Sequence, residues 1–294
     1  MNFRERIFST KDILLADGAM GTELQKRGLE SGACPELLNL THPEIVRSVH
    51  RDYISAGSDI IETNTFGANR ARLKLHDSEH LVREIILAAV ENARSQSANV
   101  FIAGSMGPLG ELIEPLGLMS SSEAYDIFAE QAEAFHEAKA DVIFIETMMA
   151  PEEIIIAVKA VKENSDIPVA ALMTFEHGQS GNRTMWGTSV AEAVVLLTDA
   201  GADILGSNCG RGFDEMAGVI NEFRKASDKP LLAMANAGIP VWEEGISIYK
   251  ETPEMISPYV RQLLESGVRI IGGCCGTAPE HIREMRKILN LYQK

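Results

Sequence analysis

The sequence predicts an α/β fold, a (β/α)8 TIM barrel forming a single domain over residues 1–294. Three observations carry this. Eight short apolar runs recur along the chain, separated by segments of helix length. Eight strands alternating with eight helices over ~250 residues is the count of a closed parallel barrel. Most of the runs are continuously apolar rather than alternating, the pattern of parallel strands buried on both faces. The helix-to-strand joints also repeat. Ala56-Gly57-Ser58-Asp59-Ile60, Ala200-Gly201-Ala202-Asp203-Ile204 and Ser266-Gly267-Val268-Arg269-Ile270 each put Gly where a left-handed helix cap is needed. Ala138-Lys139-Ala140-Asp141-Val142 keeps the rhythm without the Gly.

Strand one is Ile13–Asp17, and it ends in Asp17-Gly18-Ala19-Met20-Gly21-Thr22. An open doubly wound sheet would carry Gly-x-Gly-x-x-Gly there, and that spacing is absent. Helix Pro43–Ala56 leads to strand Asp59–Asn64, and helix Glu79–Arg94 to strand Val100–Gly104. The Gly- and Pro-rich stretch Gly104–Ser120 is long, and reads equally as an ordered flap over the barrel mouth or as a surface loop. Helix Ser121–Ala138 then precedes strand Asp141–Thr147, and helix Pro151–Asn164 precedes strand Val169–Phe175. Helix Ser189–Ala200 leads to strand Asp203–Asn208, and helix Phe213–Ala226 to strand Leu231–Asn236. Helix Thr252–Ser266, strand Val268–Gly273 and helix Pro279–Leu291 complete the series. Pro43, Pro151, Pro253 and Pro279 sit early in their helices, where a missing N–H is harmless.

Charge and composition narrow the function. A net charge of −15 argues against non-specific binding to nucleic acid or to an anionic membrane. No run approaches the roughly 18 apolar residues of a membrane span, and Met1–Arg6 lacks the apolar core of a signal peptide. Four cysteines in 294 residues do not make a disulfide scaffold. These features lead us to expect a cytoplasmic protein with reduced thiols, in which a cysteine cluster binds metal or performs catalysis.

In a closed barrel all strand C-termini meet at one rim, so residues far apart in sequence converge there. The predicted strand ends carry Asp17; Glu62, Thr63 and Asn64; Ser105; Glu146 and Thr147; Thr174 and Glu176; Asn208 and Cys209; Asn236; Cys274 and Cys275. Strand ends meet water, which explains generic polarity. It does not explain why three of the four cysteines fall at two strand ends. The stretch Gly272-Gly273-Cys274-Cys275-Gly276 is unusual, because adjacent strand residues point to opposite faces. For both cysteines to serve one site the backbone must bend, and glycine makes that bend cheap.

Two readings of the cysteines are open from composition: one zinc held by three thiolates, or an inert buried pair. Cys34, in a loop after strand one, reads as structural. A zinc with three thiolates carries net negative charge and activates water poorly. It suits a fourth ligand that is itself a thiol, held as thiolate, and so points to alkyl transfer onto sulfur. The repeats Ile61-Glu62-Thr63 and Ile145-Glu146-Thr147 place carboxylates at strands two and four. They could hold the ammonium of an amino acid, or form salt bridges to Arg183 or Arg211. None of the seven histidines ends a strand, which disfavours a histidine-based metallohydrolase, although His177 lies shortly after strand five. Asp17 and Glu62 could form a glycosidase pair, but two tryptophans make no aromatic sugar cleft. Met148-Met149 and Met185-Trp186 read as core or rim packing.

Seven segments in order resemble the homocysteine-binding domain family. They are Asp17-Gly18-Ala19-Met20-Gly21-Thr22, Ile61-Glu62-Thr63-Asn64-Thr65-Phe66, Gly107-Pro108, Glu146-Thr147, Ser207-Asn208-Cys209-Gly210, Ala235-Asn236-Ala237-Gly238 and Gly272-Gly273-Cys274-Cys275-Gly276-Thr277. That family holds homocysteine S-methyltransferases, including the N-terminal module of cobalamin-dependent methionine synthase. The resemblance runs from about Leu15 to the chain end.

It implies one Zn2+ per chain on Cys209, Cys274 and Cys275, with homocysteine sulfur as fourth ligand and attacking nucleophile, and methionine as product. It places Asp17, Gly18 and Glu146 near the amino-acid moiety, with Glu146 on the ammonium. Glu62 and Thr63 complete the expected substrate contacts. Asn236 is expected to contact zinc, or shield it, before substrate arrives. The segment Gly181–Ser189 resembles the cobalamin-dependent branch more than the betaine branch. The donor expected is therefore methylcobalamin on a separate corrinoid protein. The alternatives are a self-contained methyltransferase using S-methylmethionine or betaine, a non-catalytic thiol-binding zinc module, and a purely structural zinc barrel.

Overall fold

Eight parallel strands follow one another around a single axis: β1 (Leu14–Leu15), β2 (Ile60–Glu62), β3 (Phe101–Met106), β4 (Val142–Met148), β5 (Val169–Met173), β6 (Ile204–Cys209), β7 (Leu231–Ala235) and β8 (Ile270–Gly273). The structure, a computed structural model, describes residues 1–243 and 246–293. Hydrogen-bonded neighbours run in chain order from β2 to β8, and β8 pairs with β1. The seam between β1 and β2 is closed differently. Asp59 N donates to Leu15 O at 2.7 Å, and Leu15 N donates to Asp59 Oδ2 at 2.9 Å. Further up the seam, Glu62 N donates to Asp17 Oδ2 at 3.0 Å. Side-chain carboxylates thus do part of the work of a ladder, and β1 is only two residues long.

The principal helices are α1 (Pro43–Ala56), α2 (Val82–Arg94), α3 (Ser121–Ala138), α4 (Pro151–Asn164), α5 (Val190–Ala200), α6 (Phe213–Ala226), α7 (Pro253–Glu265) and α8 (Pro279–Tyr292). The caps follow the sequence rhythm. Gly57 and Gly201 cap α1 and α5 at φ 112° and 99°. Lys139 takes the same left-handed conformation at φ 59° without the freedom of glycine. The first turn expected of α2 is instead a 3-10 turn, Glu79–Leu81. Strand β3 runs past Gly104 to Met106, because Gly104 is a packing position rather than a stop. A Cβ there would lie 2.6 Å from the Phe135 ring of α3.

Two apolar shells result. Leu14, Ile60, Phe144, Leu172, Leu232 and Ile270 belong to the buried cluster inside the barrel. Phe3 and Ile7 join it from a helix that the sequence reading did not foresee, Phe3–Ser9. Phe3 packs edge-on against Phe101, with ring centroids 5.5 Å apart. The second shell lies between the sheet and the helices. With the barrel interior filled by side chains, a ligand cavity belongs at the C-terminal rim.

The rim carries two hairpins, Glu176–Gly178 with Gly181–Arg183 and Val241–Glu243 with Ile246–Ile248. Residues 107–120 form an ordered flank of the rim, tied by a bridge between Ile113 and Met119. They line a side cavity with Thr147, Met149 and Trp186, and do not line the cavity that holds the cysteines. Among the described residues no helix is long and apolar enough to cross a membrane.

Candidate active site

The backbone turns sharply at both cysteine-bearing strand ends. At the end of β6, Cys209 sits at φ 62° and Gly210 at φ 72°. A non-glycine residue in that region is strained, and such strain persists only where the surroundings enforce it. At the end of β8 the vicinal pair is pinned to the end of β7: Cys274 N donates to Ala235 O at 2.8 Å, and Ala237 N donates to Cys275 O at 2.9 Å. Thr277 closes the turn through N and Oγ1, both donating to Cys274 O, at 3.0 and 2.6 Å. The glycines before the pair are dictated by crowding. A Cβ on Gly272 would lie 2.8 Å from Ala16 Cβ, and one on Gly273 would lie 2.2 Å from Thr277 Oγ1.

The outcome is a compact group of sulfurs. Cys209 Sγ and Cys274 Sγ are 3.4 Å apart, and all three sulfurs lie within 4.8 Å of one another. This is far beyond a covalent S–S bond of about 2.05 Å. Tetrahedral zinc with Zn–S bonds of about 2.3 Å would hold its sulfurs about 3.8 Å apart. The electrostatics agree. Hydrogen bonds from Cys209 and then Cys274 hold Cys275 at a pKa of about 3. Cys274 is pushed well up, first by its hydrogen bonds to Cys209 and Cys275 and then by burial. Cys209 is also raised, against the hydrogen bond to Cys274, by Cys275 and by burial. Crowded together without a cation, the three sulfurs oppose one another's ionisation. A dication would allow all three to ionise, so the donor set fits zinc. Cys34 stands outside this group; it is buried, donates to Glu36 Oε2 at 3.1 Å, and is pushed up to about 12, first by burial and then by Glu36.

Beside the sulfurs lies a cluster of carboxyls. Glu146 accepts from Ser105 Oγ and from Asn208 Nδ2, the latter at 2.9 Å. The same Asn208 amide donates to Thr147 Oγ1 at 2.9 Å and accepts from Thr147 N at 2.7 Å. Thr147 is itself left-handed, at φ 59°. Burial pushes Glu146 up, opposed by hydrogen bonds from Ser105 and from the Glu62 carboxyl. Glu62 is driven well up by burial, then by the charges of Glu146 and Asp17. Asp17 is likewise raised well up, mainly by burial, and its Oδ1 is buried without a partner. Neither Glu62 nor Glu146 forms a salt bridge to Arg183 or Arg211, which pair with Glu192 and Glu215. Glu62 and Glu146 line the cavity, Asp17 lies buried beside Glu62, and neither glutamate is neutralised by Arg183 or Arg211, so the cluster has the chemistry to take a cation.

Both groups face one cavity of about 630 Å3, lined by Gly18, Glu62, Glu146, Cys209, Cys274 and Cys275, among others. Gly18 is the residue that fits, because a Cβ there would lie 2.7 Å from Thr277 Oγ1 and 2.9 Å from Tyr53 Oη. Thr63 is placed elsewhere. Its hydroxyl bonds Thr65 Oγ1 at 2.6 Å and accepts from Ser105 N at 3.2 Å, and it does not line the cavity. Asn236 is buried; its Nδ2 donates to Gly210 O at 2.6 Å, and its Oδ1 has no partner. The sequence reading assigned no role to Ser105 or Asn208. Both left a trace only as polar residues at strand ends.

The family model described as homocysteine S-methyltransferase matches residues 14–289. The methionine synthases of Mycobacterium tuberculosis and Mycobacterium leprae are 32% and 31% identical over 294 residues, covering 93% of this chain. The chain spans 24% of the length of each. Among solved structures, the metallated form of the Escherichia coli homocysteine methyltransferase MmuM superposes with a TM-score of 0.79 at 24% identity, covering 95% of this chain and 97% of that one. Its oxidized form gives 0.79 at 25% identity, with 98% and 99% covered.

Proposed function

Given that the chain belongs to the homocysteine S-methyltransferase family, we propose that it transfers a methyl group to the sulfur of homocysteine, giving methionine. The observation that carries this is the meeting of three sulfurs and a buried carboxyl cluster in one cavity. Cys209, Cys274 and Cys275 would hold one Zn2+. When bound, the ion supplies a place for a fourth sulfur ligand and stabilises its thiolate form near neutral pH.

The chain's own residues do the rest. Glu146 receives the substrate ammonium, with Glu62 and the free Oδ1 of Asp17 beside it. Burial and mutual charge favour the protonated forms of Glu62 and Glu146, so the arriving ammonium takes the place of a proton released to solvent. Asn208 keeps Glu146 oriented through a bond that also spans β6 and β4. The closed interior beneath excludes water from the sulfur, and the rim fixes its approach to the methyl carbon. A sulfur lone pair forms the new S–C bond in line, while the electron pair of the breaking bond leaves with the donor. Asn236, whose Oδ1 lacks a partner, would contact or shield the metal when no thiol is bound.

For the donor we favour methylcobalamin on a separate corrinoid protein. The matched methionine synthases support it, since they carry three quarters of their length outside this region. A self-contained reaction with S-methylmethionine or betaine is the second reading, favoured by a cavity larger than a small amino acid fills. The test supplies zinc-loaded protein and homocysteine with methylcobalamin, S-methylmethionine and betaine in parallel. Methionine from one of them is expected. Tight homocysteine binding with no methionine from any donor would instead mark a thiol-binding module.

A further inference from the structure

The cavity that holds the sulfurs and carboxyls also has a cationic wall. The loop after β2 contributes Asn64, Phe66, Gly67, Arg72, Leu75 and His76 to its lining. In a ring of eight strands β2 stands opposite β6, so this loop faces Cys209 across the rim. Arg72 is the one Arg or Lys that lines the cavity among the described residues. Its guanidinium lies 5.6 Å from the centroid of the Phe66 ring and makes no ion pair among the described residues. Glu36, close by across Gly67, is engaged elsewhere: Oε1 accepts from Gly67 N at 2.7 Å and Oε2 from Cys34 Sγ at 3.1 Å.

The platform is built to stay in place. Gly107 N donates to Phe66 O at 3.0 Å, and a Cβ on Gly107 would lie 2.6 Å from the Phe66 ring. Arg72 N is capped by Asn69 Oδ1 at 3.0 Å. A half-buried guanidinium oriented by an aromatic face rather than by a carboxylate keeps its forked donors for a ligand.

We infer that Arg72 is an anion subsite of this cavity, taking a carboxylate or phosphate carried by the methyl donor. The inference rests on the methyltransferase reading. Homocysteine is held through its sulfur at the cysteines of β6 and β8 and through its ammonium at Glu146 and Glu62, which leaves Arg72 unused, and the donor must enter beside it. Binding the donor's anion on the β2 loop leaves its methyl group free to face the sulfur.

Two matched donor pairs test this on zinc-loaded protein with homocysteine bound. One is S-methylmethionine against its decarboxylated sulfonium. The other is methylcobalamin against methylcobinamide, which lacks the nucleotide phosphate. In the unaltered protein the anionic member of one pair should bind about tenfold tighter or more, and which pair shows it identifies the source of the anion. Arg72→Gln should abolish that preference and leave homocysteine affinity unchanged, and Arg72→Lys should restore part of it. Equal binding within both pairs, a preference that survives Arg72→Gln, or a loss of homocysteine affinity instead would overturn the inference. A protein that takes up neither zinc nor homocysteine would fail the functional reading, and metal content shows this before any donor is added.

Discussion

Asn208 Nδ2 lies 2.9 Å from Glu146 Oε2, so the strand that ends in Cys209 also holds the carboxylate proposed to grip the substrate. One amide, buried to 0% exposure, thereby couples the two halves of the site. The same side chain braces Thr147 in its left-handed conformation, and its Nδ2 is 3.9 Å from Cys274 Sγ. Substituting it should disturb substrate binding before it disturbs the metal.

Asn208→Ala leaves Glu146 without one donor and Thr147 N without its acceptor. Losing hydrogen bonds to a charged group costs roughly 1.5–3 kcal/mol, so homocysteine affinity should fall about 10- to 100-fold. Zinc content should stay near one per chain, because all three thiols remain. Calorimetric titration with homocysteine, with metal analysis of the same sample, checks both.

The raised carboxyls make a prediction with a definite sign. Asp17, Glu62 and Glu146 have folded pKa values above their unfolded ones. The fold therefore gains from their protons at low pH and loses that gain as pH rises through the folded values. Asp17→Asn should raise the melting temperature of substrate-free protein at pH 8 and leave it little changed at pH 3. The same substitution should weaken homocysteine roughly tenfold or more. In the unaltered protein, homocysteine affinity should rise with pH as the cluster ionises.

His50 offers the opposite sign. It is fully buried in α1, both ring nitrogens lack partners, and burial lowers its pKa to about 3. The unfolded chain takes up a proton near pH 6.5 that the folded chain refuses, so stability is present above that pH and drains away down to about 3. His50→Leu should flatten that acid limb by roughly 3–5 kcal/mol. Urea titrations between pH 7 and pH 4 measure it.

Gly206 lies inside β6, where a Cβ would come within 1.9 Å of Leu232 O. The obstacle is backbone, so relief requires strands to shift. Gly206→Ala should destabilise by roughly 1–3 kcal/mol, a loss of several degrees in melting temperature, and should loosen the cysteine turn that follows.

What could be read from residues alone was whatever depended on residue type at a strand end. Cys209 and the Cys274–Cys275 pair were legible because soft ligands are scarce and their places were unusual. The barrel was legible because buried parallel strands leave continuous apolar runs. The charge that Glu62 and Glu146 press on each other was not, since it depends on two buried side chains meeting from β2 and β4. Asn208 looked like any polar strand end until its amide was seen to bridge three neighbours. The helix Phe3–Ser9 carries four polar residues in seven and gives no core signal, although Phe3 and Ile7 plug the barrel. Thr63, expected beside the substrate, turns to Thr65 and Ser105 because the loop after β2 folds back on β3.

The central claim is that three cysteines hold a metal whose remaining position takes the substrate sulfur. Zinc-edge X-ray absorption on the purified protein, with and without homocysteine, tests it most directly. The account predicts a shell of three sulfurs and one lighter atom without homocysteine, becoming four sulfurs with it. A shell that homocysteine leaves unchanged, or zinc that survives Cys275→Ala with its full complement of sulfur, would contradict it.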